Sequence, residues 1–150
     1  MTRKHWILVA ALILLGGGYI RWFTDWLVPP QIQIEVSTRP SGRGGSSSES
    51  PVLPTLFMLD REYSFNSLEV TAVSNVPPTL VGKTAWHLAA QGEPEVQRGF
   101  AYGETLKGYK TVVAPLPLIP GAVYRVDLKA GRAKGTRTFT AVPAAPSPTQ

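Results

Sequence analysis

The sequence predicts one membrane-spanning helix followed by a mainly-β domain folded as an antiparallel β-sandwich. Three observations carry that fold class. Residues 6–28, WILVAALILLGGGYIRWFTDWLV, are the only apolar run long enough to cross a bilayer. Residues 56–142 break into short alternating stretches divided by Gly, Pro, Asn and Asp, the pattern of strands and turns. No stretch there keeps apolar residues at helical spacing over ten residues.

The helix comes first. Trp6–Ile20 carries no charged side chain, yet its fifteen residues rise only about 22 Å as a helix. A hydrocarbon core is about 30 Å thick, so the span is expected to continue past Arg21 to Val28. Arg21 and Asp25 are four apart near the end of the span, where an i,i+4 pair and snorkelling reduce the cost of charge. Tyr19, Trp22, Phe23 and Trp26 form an aromatic belt at one membrane border, and Trp6 marks the other. Pro29-Pro30 ends the helix, because the ring removes a donor and restricts the residue before it.

A cleaved signal peptide shares the basic start, Arg3-Lys4, and the apolar core. Its cleavage site would have to be Gly16-Gly17-Gly18, and the Tyr-Ile-Arg-Trp-Phe that follows reads better as a membrane border than as a mature terminus. The preferred reading is therefore an uncleaved anchor. Lipid attachment is excluded by the lack of cysteine, and a helix apolar on every face is a poor candidate for burial in a soluble domain. A short basic stub, residues 1–5, ordinarily stays in the cytoplasm. That places the chain in the plasma (inner) membrane, with residues from 29 onward periplasmic or extracellular.

Composition is consistent with this. Residues 1–28 carry a net charge of +2, residues 29–55 balance, and residues 56–142 carry +3. Such a mild excess suits anionic lipid or an acidic polymer and falls far short of a nucleic-acid binder. With no cysteine there is neither a disulfide framework nor thiol chemistry.

Beyond the anchor, QIQIEV (31–36) alternates strictly and reads as a half-buried strand, which either pairs with the domain or forms a stem needing a partner. Residues 37–54 are dense in Ser, Gly and Pro and read as flexible linker, so 29–55 is expected to be stem plus linker. In the domain, LFML (56–59) precedes a polar turn at Asp60-Arg61-Glu62. Leu68, Val70 and Ala72 then share a face, and TAWHLAA (84–90) sets Trp86 and Leu88 against His87. Val96–Tyr102, Thr111–Ala114 and Tyr124–Ala130 follow as strands; Gly131–Gly135 reads as a loop before the last strand, 136–142. Residues 143–150, PAAPSPTQ, read as a disordered tail.

One motif is more specific. Leu118-Ile119-Pro120-Gly121-Ala122-Val123-Tyr124 has the form Leu-x-Pro-Gly-x-x-Tyr before an alternating strand. It resembles the corner between strands E and F of fibronectin type III and immunoglobulin-like domains. That resemblance implies that Tyr124 packs inward with its hydroxyl on upstream backbone, the tyrosine corner. It also implies that Leu118 fills the core beneath the Pro120-Gly121 turn, and that Trp86 occupies strand C as the core tryptophan, beside Tyr124. The chain departs from the pattern in lacking a Trp late in strand B, read here as residues 68–75.

Chemistry is scarce. His87 is the only histidine outside the anchor and its stub, a thin basis for a metal site even with Met58 as a copper ligand. Asp60 and Glu62 could share a face, but Arg61 beside them suits plain solvation. No nucleophile elbow, phosphate loop or dinucleotide fingerprint occurs. No enzyme activity, cofactor or small-molecule substrate is expected. The charged feature that stands out is basic: Arg125, Lys129, Arg132, Lys134 and Arg137 cluster in the last hairpin, suited to anionic lipid, cell-wall polymer or an acidic partner. The expected function is a membrane-anchored binding or scaffolding module of the cell envelope. The alternative is a small subunit of an envelope complex, such as secretion, pilus or division machinery, that docks through its aromatic helix.

Overall fold

In a computed structural model of the protein, residues 3–23, 29–38 and 52–144 are described. Helix α1 spans Arg3–Phe23, so the basic residues read as a stub form its first turn, and Arg21 sits in its last turn where the helix dipole favours a cation. Its apolar window, Lys4–Trp22, is long enough to cross a membrane and has no part buried against the rest of the chain. By length and composition, an N-terminal helix of this kind can serve as a membrane anchor or as a signal sequence. Asp25 and Trp26 lie outside the described residues.

Eight strands follow: β1 (Ile34–Thr38), β2 (Thr55–Tyr63), β3 (Ser67–Ser74), β4 (Thr84–Ala90), β5 (Gln97–Ala101), β6 (Tyr109–Val113), β7 (Val123–Ala130) and β8 (Ala133–Thr140). They form two antiparallel sheets, β1-β2-β5 and β6-β4-β3-β7-β8, in a sandwich-like arrangement. Period-two alternation selects the inner faces. Leu68, Val70 and Ala72 on β3 and Tyr124, Val126 and Leu128 on β7 are all buried, and register pairs them across the two strands.

Aromatic rings close the space between the sheets. Phe57 of β2 meets Phe100 of β5 and, across the core, Phe139 of β8, both at 5.3 Å between centroids. Tyr124 stacks on Phe139 at 5.8 Å, and Trp86 joins Phe100 at 6.3 Å and Tyr102 at 5.2 Å. Edge-to-face and tilted pairs of this kind add attraction beyond their buried area.

The alternating segment 31–36 belongs to the sheets. β1 pairs with β2 so that Ile34 faces Leu59 and Val36 faces Phe57. Just before it, Ile32 N–H donates to Lys134 O at 2.8 Å and Lys134 N–H donates to Pro30 O at 3.1 Å. The chain thus runs one step parallel to β8 and then crosses to β2, touching both sheets. Gly135 permits the crossing: a Cβ there would lie 2.7 Å from Ile32 O and 2.9 Å from Ile32 Cβ.

Several sequence expectations change for related reasons. Asp60-Arg61-Glu62 is not a turn but the exposed end of β2, with Asp60 N–H bonded to Gln33 O; the chain reverses at Ser64–Asn66. Gly131–Gly135 is not a loop. Ala130 pairs with Ala133, leaving the two-residue turn Gly131-Arg132, with Gly131 at φ 57° in the first central position that a type II′ turn gives to Gly. Ser37 and Thr38, read as linker, complete β1, while Val52 is buried and Leu53 N–H bonds Val142 O. Pro143, read as the start of the tail, bridges Val52. The rest of the linker, 39–51, and of the tail, 145–150, lies outside the described residues.

The corner at 118–124 forms as the motif implies. Ile119 N–H donates to Tyr124 Oη at 3.0 Å, Ala122 N–H closes the turn on Ile119 O, and Gly121 takes φ 77°. Leu118 is buried beneath it and Pro120 is exposed. The ring of Tyr124 stacks on Phe139, whereas Trp86 makes its ring contacts with Phe100 and Tyr102. Trp86 lies on β4, and it is β3, not β4, that pairs with β7. Two strands precede β3, one more than the sequence pattern suggested, because β1 is a sheet strand.

Two predictions follow from this packing. A fragment starting at residue 56 lacks Ile32, Ile34 and Val52, so it should melt at lower denaturant than residues 29–144. In the longer fragment Gly135→Ala should cost about 1–3 kcal/mol through the forced Ile32 contact, and a melt equal to wild type would exclude the crossing. Tyr124→Phe deletes one bond to a part-buried backbone N–H and should cost about 1–3 kcal/mol. Tyr124→Ala should cost about 3–5 kcal/mol, and Arg125→Glu on the outer face less than about 0.5 kcal/mol.

Candidate functional site

The outer face of the five-stranded sheet presents the residues between the core positions. On β7 these are Arg125, Asp127 and Lys129; register sets them opposite Thr138, Thr136 and Lys134 of β8. Arg125 Nε donates to Asp127 Oδ2 at 2.8 Å, and Thr136 Oγ1 donates to Asp127 Oδ1 at 2.7 Å. Both oxygens of that carboxylate are therefore engaged within the sheet. The ion pair is largely exposed and contributes little to stability.

The five basic residues do not form one patch. Lys129 and Lys134 are directly opposed and exposed at the end of the hairpin, with Arg132 in the turn beside them. Arg125 lies two rows away, tied to Asp127. Arg137 is in register with buried Val126, so it leaves β8 on the inner side, at the sheet edge. There it lines an open groove of about 420 Å3 with Gln31, Gln33, Glu35, Met58 and Asp60. An inward-directed charge on an edge strand discourages pairing with another chain.

Register also aligns a polar row that the sequence did not suggest: Thr136, Asp127, Glu69 and His87 lie side by side on β8, β7, β3 and β4. Glu69 Oε1 accepts from Thr84 Oγ1 at 2.7 Å. Met58 is on β2 in the other sheet, so the His87 and Met58 pairing does not come together. Among the described residues no group of three or more His, Cys, Asp and Glu is placed to hold a metal. Asp60 and Glu62 are both exposed. Desolvation raises the Asp60 carboxyl, but hydrogen bonds from Arg61, Tyr63 and the Gln33 backbone together outweigh it and hold the group below the usual carboxylate range.

Tyr102 is a site that sequence reading passed over. Its hydroxyl donates to Leu116 O at 2.8 Å and lies 3.2 Å from Ala85 O, its one proton shared between the two carbonyls, which fastens residues after β6 to the start of β4. No motif marks it, because both acceptors are backbone atoms distant in sequence. On the helix, Trp6 and Trp22 are 69% and 87% exposed, and Tyr19 is also exposed, as residues that face lipid or a partner would be. Comparison with protein-family models, curated proteins and solved structures finds no match.

Burial, and then the neighbouring Tyr124 hydroxyl, push the ionisation of Tyr102 well above the ordinary phenol range. In the unfolded chain Tyr102 ionises near pH 10; in the fold it stays protonated to higher pH. The unfolded state then binds fewer protons, so the stabilisation present below about pH 10 declines as pH rises beyond it. Denaturant melts between pH 8 and 11 should show that decline, and Tyr102→Phe should make it shallower. An unchanged slope in the variant would assign the alkaline loss to other groups.

Proposed function

We propose that the protein is a single-pass, membrane-anchored module whose extracytoplasmic sandwich binds or scaffolds other envelope components. The observation that carries this reading is the division of apolar surface. The core closes through residues of the strands and their loops alone, while α1 leaves its large apolar side chains uncovered. An apolar helix excluded from the core needs lipid or another apolar partner. The sandwich is of the immunoglobulin or fibronectin type III kind on this reading. Its neighbours β1-β2-β5 and β3-β7-β8 correspond to the A-B-E and C-F-G adjacencies of such domains, and β4 extends the second sheet as a C′ strand does; β6, which follows the E equivalent in the chain, departs from that order. The Tyr124 corner supports the same assignment. With β2 as strand B, Phe57 stands among the core residues of a strand without Trp.

A reporter fused after Gln150 should be active only outside the cytoplasm, and the protein recovered from membranes should retain Met1. A mature terminus near Tyr19 would refute the anchor. In-cell crosslinking of the full chain, repeated with residues 29–144 behind a cleavable signal, then locates the partner. A partner kept by the fragment supports a binding module; one lost with the helix supports a subunit that docks through α1.

A further inference from the structure

The last hairpin is where the sandwich begins. Pro30 O and Ile32 N–H are both bonded to Lys134, so the first residues of the domain are fixed to the β7–β8 hairpin end. From Phe23, the last described residue of α1, seven residues of chain reach Pro30, a reach of at most about 25 Å. If the span runs to Val28, as the sequence reading has it, Pro30 is two residues on, about 7 Å. Whichever way the domain tilts, Lys134 cannot move farther from the membrane border than that tether.

The same hairpin end is where like charge accumulates. Lys129 and Lys134 oppose each other on one face, an arrangement that destabilises a strand pair, and Arg132 adds a third cation in the turn. Asp127, the one acid on that face of the hairpin, already holds Arg125 and Thr136. Glu69, beside Asp127 on β3 and one row from Lys129, accepts from Thr84, and the remaining acids at this end of the sandwich lie farther off. Glu93 and Glu95 follow β4, two strands from β7 and three from β8, about 10 and 14 Å at ordinary strand spacing. Glu62 belongs to the facing sheet, about 10 Å away. At separations of about a Debye length Glu62, Glu93 and Glu95 offset the charge of Lys129 and Lys134 only weakly.

We infer that Lys129, Arg132 and Lys134 form a docking surface for anionic phospholipid headgroups of the bilayer that holds α1. The tether makes this bilayer the anion source always within reach, and the inference rests on the anchor reading above. Each cation near such a surface strengthens association about five-fold. Docking by this end holds the opposite end, with the β3–β4 connection and the Pro120-Gly121 corner, away from the membrane.

Amine footprinting of the full chain in nanodiscs tests this, with phosphatidylcholine alone or with phosphatidylglycerol added. Lys129 and Lys134 should be acylated about five-fold more slowly in the anionic discs, while Lys83 at the opposite end keeps its rate. Arg132→Glu should return the two lysines toward their rate in neutral discs, with Lys83 reporting an intact fold. Equal rates at Lys129 and Lys134 in both discs would overturn the docking surface. The same slowing in neutral discs with inorganic phosphate would also overturn it, assigning a free-anion site instead. A chain that fails to insert into discs removes the anchor reading itself, so the two failures are distinguishable.

Discussion

The structure depends on the aromatic contact between its sheets. Phe57 and Phe100 from the three-stranded sheet meet Phe139 and Trp86 from the five-stranded one, and Tyr124 and Tyr102 extend the run at either end. Sheets packed face to face are held about 10 Å apart, a gap that large rings fill well. Each end of the run is fastened by a hydroxyl. Tyr124 accepts from Ile119 N–H, and Tyr102 donates its one proton between Leu116 O and Ala85 O. These polar tips let the rings be buried without leaving the connecting segments unbonded.

The second constraint is the crossing of the first strand. A segment that bonds β8 and then β2 ties the edges of both sheets together at the first described residues after α1. Backbone passes so close to Gly135 that a side chain there would collide with Ile32. One local packing event therefore sets three features: the closed edge, the position of the basic hairpin, and the short tether between sandwich and α1. Arg137, inward-facing on the same edge strand, keeps the remaining open part of that edge from recruiting another chain.

Much of the local pattern was readable because it rests on neighbours in sequence. The alternation in β3, β4 and β7, the Pro120-Gly121 turn and the inward Tyr124 all follow from period-two burial and from turn chemistry. The misread places share a cause. Polar Asp60-Arg61-Glu62 imitates a turn because that end of β2 is exposed, and Gly135 imitates a loop residue although it is small for the sake of Ile32. In both cases a contact distant in sequence overrides the local signal. The basic cluster divided for a related reason, since the face a residue takes on β8 depends on the length of the turn before it.

The sequence by itself determined that this protein has an apolar helix excluded from a β-rich core, because hydropathy and strand periodicity are properties of the chain. It determined the tyrosine corner as well, whose partners lie five residues apart. Only the tertiary structure decided that residues 31–38 are part of the sheets, that Trp86 belongs to β4, and that the hairpin end carrying Lys129, Arg132 and Lys134 is bonded to Pro30 and Ile32. Those outcomes are fixed by register and by backbone bonds between segments about a hundred residues apart, such as Ile32 to Lys134, and no local pattern encodes them.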